Sequence, residues 1–158
     1  MRNAMKVLTL IALPATGFAA DTVTLNITGN LYVPTVCNVT ATSTTIAFGN
    51  ILSSRINGTE YQKPLNVSVT CSNRNPLQSV SVAVTGTGTT TNKLPVSGAA
   101  KGFVLALKKG TANQNFGTSI PMTTDGSLNL NLTPEVKSGE AFVTGAFTAA
   151  LTVKVSVT

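Results

Sequence analysis

The sequence predicts an all-β domain of antiparallel strands packed as two sheets. Apolar residues recur at every second position in several segments, which is typical of strands with one buried face. β-Branched residues dominate these segments, and Gly, Pro and Asn turn signals separate them at the spacing of β-sandwiches. No segment shows a convincing helical period. The chain of 158 residues is long enough for one domain with a substantial core, and no repeat or linker indicates a second domain.

The first alternating segment is DTVTLNITGNLYV, residues 21–33. Its even positions are mostly polar, and strict alternation over this length predicts a strand with one buried face. The sheet that this strand joins could belong to the same molecule or to another one. Its odd positions hold Val23, Leu25, Ile27, Gly29, Leu31 and Val33.

The alternation continues beyond Pro34 at Cys37 and Val39, and an apolar patch follows at Ile46, Phe48 and Ile51. The segments SSRINGTEYQ, SNRNP and GTGTTTN, together with residues 108–115 and 134–140, are predicted turns or loops. Further strands are predicted at residues 65–71, 80–84, 103–107, 128–132 and 147–157.

Residues 1–19 have the pattern of a secretory signal peptide. Arg2 and Lys6 give a positive start, and residues 7–13 form an apolar run that is too short to span a bilayer. Gly17 and Ala19 are small residues at the two positions that a signal peptidase reads. We therefore expect export, with cleavage after Ala19.

The composition favours an exported β protein over a nucleic-acid-binding protein or a cytosolic enzyme. Charged residues make up 10% of the chain, against an average near 25%. Removal of Arg2 and Lys6 with the signal peptide lowers the net charge from +6 to +4. The remaining basic residues are scattered, with Lys108 and Lys109 as the single adjacent pair, and do not form the stripe that nucleic acid requires.

Cys37 and Cys71 are the two cysteines of the chain. In an oxidising compartment the expected outcome is one disulfide between them. The alternative, a pair of metal ligands, lacks partners because the sequence contains no histidine. No metal and no cofactor are therefore predicted.

The sequence does not predict an enzyme. Without histidine there is no Ser-His-Asp or Cys-His nucleophile and no imidazole base. A carboxylate pair could still carry out acid–base chemistry. Glu135 and Glu140 lie close together, but in a predicted turn, where solvated charges are expected.

The sequence resembles a known family, the pilin subunits of the bacterial chaperone–usher pathway. A signal peptide precedes the alternating stretch ADTVTLNITGNL (20–31), which lies just ahead of Cys37. Gly145-Ala146-Phe147-Thr148-Ala149 is similar to the G-x-F-x-A motif of that family, and an alternating tail follows it. The resemblance covers essentially the whole chain after the signal peptide.

The resemblance implies an incomplete immunoglobulin-like β-sandwich that lacks its last strand, in residues 34–158. Residues 20–33 would be a donor strand that completes the sheet of a neighbouring subunit. The implied partners are neighbouring pilus subunits, a periplasmic assembly chaperone and an outer-membrane usher, on a route through the periplasm to a fimbria on the cell surface that supports cell adhesion. The implied acceptor groove is lined on the last strand by Phe147, Ala149, Leu151, Val153 and Val155.

One alternative stays open at the level of the sequence. The chain could be a self-contained secreted immunoglobulin-like binding protein in which residues 21–33 pair within their own domain. The two hypotheses differ in whether this segment pairs with its own chain.

Overall fold

The computed structural model describes residues 23–158. The predicted signal peptide and residues 20–22 of the predicted donor strand lie outside this range. The described chain contains one 3₁₀ turn, Ser53–Arg55. Its strands are β1 (Val36–Ala41), β2 (Lys63–Leu65), β3 (Val67–Ser72), β4 (Val80–Gly86), β5 (Lys93–Pro95), β6 (Ser97–Gly98), β7 (Phe103–Lys109), β8 (Ala112–Asn113), β9 (Ile120–Pro121), β10 (Gly126–Ser127), β11 (Leu130–Val136), β12 (Phe147–Thr148) and β13 (Leu151–Val157).

These strands form antiparallel sheets, which confirms the predicted all-β fold. The larger sheet has the order β2-β11-β7-β5, with β8 paired to β7. Two three-stranded sheets have the orders β1-β3-β10 and β13-β4-β9, and β12 pairs with β6. Within the described chain, no helix is long and apolar enough to cross a membrane.

Two asparagines mark places where the chain passes from one sheet to another. Asn66 separates β2, in the larger sheet, from β3 in a three-stranded sheet. Asn129 lies between β10 and β11 and has a φ of 48°, a left-handed conformation that asparagine tolerates better than most residues. These crossings let β3 and β11 bury side chains in one common core.

The core consists of the inward-facing side chains of these sheets. Alternation predicts the buried positions well: Val82 and Val84 of β4 are almost fully buried, whereas Ser81 and Ala83 between them are partly exposed. β7 is different because Phe103 to Leu107 are all buried, as their continuous apolar run suggests. The largest fully buried side chains are Leu94, Leu107, Leu130, Val69, Val82, Val84, Thr133 and Pro134.

The prediction that residues 134–140 form a turn is wrong for residues 134–136, which belong to β11. β2 pairs only with Leu130 to Leu132, so from Thr133 onward β11 has a strand neighbour only on the β7 side. Pro134 lies in this one-sided part, directly opposite Leu105. A proline lacks the backbone N–H, and the open edge tolerates that loss.

Residues 23–31 carry no regular secondary structure, and the first strand of the described chain begins at Val36. The side chains of Val23, Leu25, Ile27 and Leu31 are exposed by 83%, 80%, 93% and 99%. Their alternation predicts a strand, but a strand forms only where another strand supplies hydrogen-bond partners. Within the described chain, residues 23–33 therefore pair with no strand.

Candidate functional site

An open edge of the fold lies between the first and the last long strands. β13 pairs with β4 on one side, and β1 pairs with β3 on one side. Within residues 23–158, no strand pairs with the other edge of either one. β13 thus presents unpaired backbone N–H and C=O groups beside the core. Such groups can form hydrogen bonds with a further strand.

A cavity of about 660 Å³ lies along this open edge. The buried core residues Leu65, Leu94, Leu105 and Leu132 line its floor. One wall comes from β12 and β13, and the other from β1 and the segment that follows it. The wall residues are Phe147, Thr148, Ala149, Ala150, Leu151 and Val153 on one side, and Val39, Ala41, Ser43, Thr44, Thr45, Ile46 and Phe48 on the other. We call this feature the groove.

The predicted last strand of residues 147–157 is interrupted: Phe147 lies in β12, Ala149 lies between β12 and β13, and only Leu151, Val153 and Val155 lie in β13. Of these five residues, Phe147, Ala149, Leu151 and Val153 line the groove. Val155 is half-buried and packs against the core, but it does not line this cavity. The intervening residues Thr152 and Lys154 are exposed. Within β13, Leu151, Val153 and Val155 are therefore on the half-buried face, whereas Thr148 and Ala150, of the other parity, also line the groove ahead of this strand.

The opposite wall was not assigned from the sequence. In the sequence, Val39 continues an alternation and Ile46 and Phe48 form an apolar patch, whereas the structure places all three on the wall across the groove from β13. The available signal was their apolar character in a segment that forms no strand after Ala41. Only the tertiary packing shows that this patch faces Leu151 and Val153.

Phe147 is held by aromatic contacts at the β12 end of the groove. Its ring packs edge-to-face on Phe103, with centroids 4.9 Å apart, and lies 6.1 Å from the ring of Phe48. Gly145 permits this placement: its φ is 151°, and a Cβ there would approach the Cβ of Ala99 to 2.6 Å. The chain therefore lies close against residues 99–100 before it enters the groove wall.

The predicted disulfide is present. Cys37 of β1 and Cys71 of β3 are directly opposite each other in the strand pair, with Cα atoms 4.1 Å apart. The bond ties β1, which contributes to one wall of the groove, to its neighbour β3 in the same sheet. No free cysteine remains in the described chain.

An ion pair between Arg74 and Asp125 supports β3. Arg74 donates two hydrogen bonds to Oδ1 of Asp125, at 3.0 Å from Nε and 2.7 Å from Nη2. The backbone N–H of Cys71 donates to Oδ2 of the same carboxylate at 3.0 Å. The hydrogen bond from Cys71, followed by those from Arg74, holds the pKa of Asp125 below its ordinary value of 3.8.

Glu135 and Glu140, which lie close together in sequence, have separate basic partners. Glu135 lies 3.1 Å from Nζ of Lys108, and Glu140 lies 2.7 Å from Nζ of Lys137. Lys108 also donates to the carbonyl oxygen of Gly58, at 2.7 Å, which ties the loop around residue 58 to β7. Within the described residues, no cluster of three or more His, Cys, Asp or Glu side chains could hold a metal ion.

The geometry defines a class of protein: an immunoglobulin-like β-sandwich with an open apolar groove beside its last strand. The family model for the fimbrial protein family matches residues 25–158, and the chain belongs to that family. Among solved structures, the chain is similar to the P pilus rod subunit PapA, with a TM-score of 0.56 and 18% identity over 77% of this chain and 99% of that one. No curated protein sequence matches the chain.

Proposed function

We propose that this protein is a structural subunit of a surface fimbria and that it polymerises by donor-strand exchange. The observation that carries the proposal is the occurrence in one chain of two complementary features. One is the groove, with β13 unpaired along it; the other is the exposed alternating segment from Val23 to Val33. The segment supplies the apolar side chains and backbone groups that the groove lacks.

The segment is long enough to cover the open edge of β13. Residues 23–33 would span about 35 Å in an extended conformation, whereas β13 has seven residues and spans about 23 Å. In the segment, apolar residues occupy the odd positions, so a strand in the groove would direct them towards Leu65, Leu94 and Leu105. The intervening threonines and asparagines would face solvent.

Donor-strand exchange also accounts for the partners implied by the sequence. An unpaired apolar edge is an aggregation hazard, so the free subunit requires a chaperone until the next subunit arrives. The predicted signal peptide supplies the route to the periplasm, where a chaperone and an outer-membrane usher would act. The resulting fimbria would lie on the cell surface and support adhesion.

The direct test uses a synthetic peptide of residues 20–33. Purified subunit, refolded with and without the peptide, is compared by thermal unfolding and by hydrogen exchange of β13. We expect the peptide to raise the unfolding temperature and to protect amides between residues 151 and 157. A scrambled peptide of the same composition is the control. Absence of stabilisation by the native peptide would refute the proposal.

A further inference from the structure

A second cavity, of about 290 Å³, continues the groove beyond Phe147. Phe147 lines both cavities, and the second one is bounded by the segments around residues 49–53 and 142–145. Three large apolar side chains at its margin are exposed: Leu52 by 57%, Phe142 by 41% and Val143 by 49%. We call these three residues the Phe142 patch. Contiguous exposed apolar patches are typical of interaction surfaces.

The connection between the predicted donor strand and its own domain is very short. Only Pro34 and Thr35 separate Val33 from β1, and the disulfide fixes Cys37 to β3. Thr35 is 7% exposed, and its backbone N–H donates to Oε1 of Gln78 at 2.9 Å. Its hydroxyl donates to the Asn73 carbonyl at 3.0 Å. The anchoring is therefore complete within two residues of Val33.

This short connection forces two domains together if the segment lies in a neighbour's groove. Two extended residues span about 7 Å, so the anchored end of the donor domain must lie against the rim of the acceptor groove. We call that end the root, meaning Thr35, Val36 and residues 73–78. Val36 and Leu77 are exposed there by 57% and 75%.

The direction of the donor strand decides which rim the root meets. The end of β13 lies at the root of its own domain, because Thr158 exchanges two backbone hydrogen bonds with Ser79. A donor strand parallel to β13 would bring a neighbour's root to this same end. The root of each subunit would then have to carry the attachment of its own donor strand and also contact the root of the next domain. An antiparallel donor strand avoids this conflict, because the neighbour's root meets the opposite rim, beyond Phe147.

We propose that the Phe142 patch is the docking surface for the root of a second copy of this chain. This inference rests on the proposed function. The contact is heterologous, since the patch of one copy meets Val36 and Leu77 of the next, and such head-to-tail contacts generate open filaments. The root also has a recess of about 420 Å³ lined by residues 74–76, 78–80 and 121–123, which adds to its surface a concavity that apolar side chains can enter.

Two assays separate this contact from donor-strand insertion. In the first, the isolated 20–33 peptide is added to subunit carrying Phe142→Ser and Val143→Ser; in the second, complete subunits of the same variant are assembled into fibres. The peptide has no domain attached, so its affinity should stay within about twofold of wild type. Fibre dissociation should accelerate roughly tenfold, which corresponds to about 1.4 kcal/mol. The control variant Phe142→Leu with Val143→Ile keeps the apolar surface and should assemble as wild type.

A lengthened connection provides the second measurement. Insertion of Gly-Ser-Gly-Ser between Val33 and Pro34 should weaken fibres of otherwise wild-type subunit, and in this background the serine substitutions should have no further effect. Fibres of the serine variant as stable as wild type would overturn the inference. Equal loss of peptide and fibre binding would also overturn it, because the patch would then belong to the groove. Failure of the wild-type peptide to bind would instead overturn the proposed function itself, and the docking contact with it.

Discussion

Leu151 and Gly86 stand directly opposite each other where β13 pairs with β4. Gly86 has no side chain, and a Cβ there would approach Cδ1 of Leu94 to 2.7 Å and the ring of Phe116 to 3.1 Å, so that Leu94 would have to shift. Leu151 therefore has no cross-strand neighbour to cover it. Its side chain is half-buried, and it lines the groove together with Leu94.

The position of Leu151 predicts that its replacement by aspartate abolishes assembly. Leu151→Asp places a charge at the apolar groove without a cationic partner, which costs several kcal/mol once a strand covers it. We expect loss of chaperone capture and of subunit yield, measured by co-purification from the periplasm. Thr152→Asp is the matched control, because Thr152 is exposed on the other face of β13. Normal yield and fibre assembly of Leu151→Asp would remove Leu151 from the acceptor site.

The long strands and one wall of the groove could be predicted from the sequence, because both depend on local alternation. In β13 the parity of Leu151 and Val153 alone identifies the inward face. Alternation along a segment does not show the residue at which the chain passes from one sheet to another. Asn66 and Asn129 interrupt runs that otherwise read as single strands, and each lies where the chain passes from one sheet to another.

The remaining features depend on contacts between distant segments. Ile46 and Phe48 form a groove wall only because β1 is fixed beside β3 and its continuation crosses in front of the core. Short strands such as β6 and β12 consist of two residues each, which is too few for any period to be detected. Pro134 suggested a turn because local sequence does not show that its strand neighbour β2 ends at Leu132.

The disulfide should be recovered intact from exported protein and should stabilise the fold. Peptide mapping without reductant should yield the segments containing Cys37 and Cys71 joined. The bond closes a loop with a sequence separation of 34, for which the chain-entropy model gives about 3–4 kcal/mol. The double variant Cys37→Ser with Cys71→Ser should lose unfolding free energy of this order in urea. Two free thiols in periplasmic material would contradict this prediction.

The Arg74–Asp125 pair should make stability depend on acid pH. Because the folded protein holds the pKa of Asp125 below 3.8, the carboxylate stabilises the fold above the unfolded-state pKa, and this contribution disappears as pH falls through the folded value. Asp125→Asn should therefore be less stable than wild type at pH 7, and the difference should shrink below about pH 4. Urea unfolding of both proteins between pH 7 and pH 2 measures this difference in the free energy of unfolding. A difference that stays constant down to pH 2 would show that the charge of Asp125 is not the cause.

Gly29 occupies the one position in the alternating segment where an apolar side chain is missing. In the unpaired chain, a Cβ at Gly29 would meet nothing within 4 Å, so its own domain does not require glycine there. A glycine within a strand often marks a close approach. An antiparallel pairing of residues 23–33 with residues 157–147 places Gly29 opposite Leu151, the bulkiest aliphatic residue of β13. The groove should therefore be shallow at this point.

Replacement of Gly29 by leucine should consequently weaken insertion by overpacking, by about 1–3 kcal/mol. Peptides of residues 20–33, wild type and Gly29→Leu, are mixed with chaperone-bound subunit, and displacement of the chaperone is followed with time. A Leu151→Ala subunit should recover part of the loss for the Gly29→Leu peptide alone, because it supplies the missing volume. Full-length Gly29→Leu should still be captured by the chaperone, since its own groove is unchanged. Equal rates and equal final stability for the two peptides on wild-type subunit would show that Gly29 does not meet a filled site.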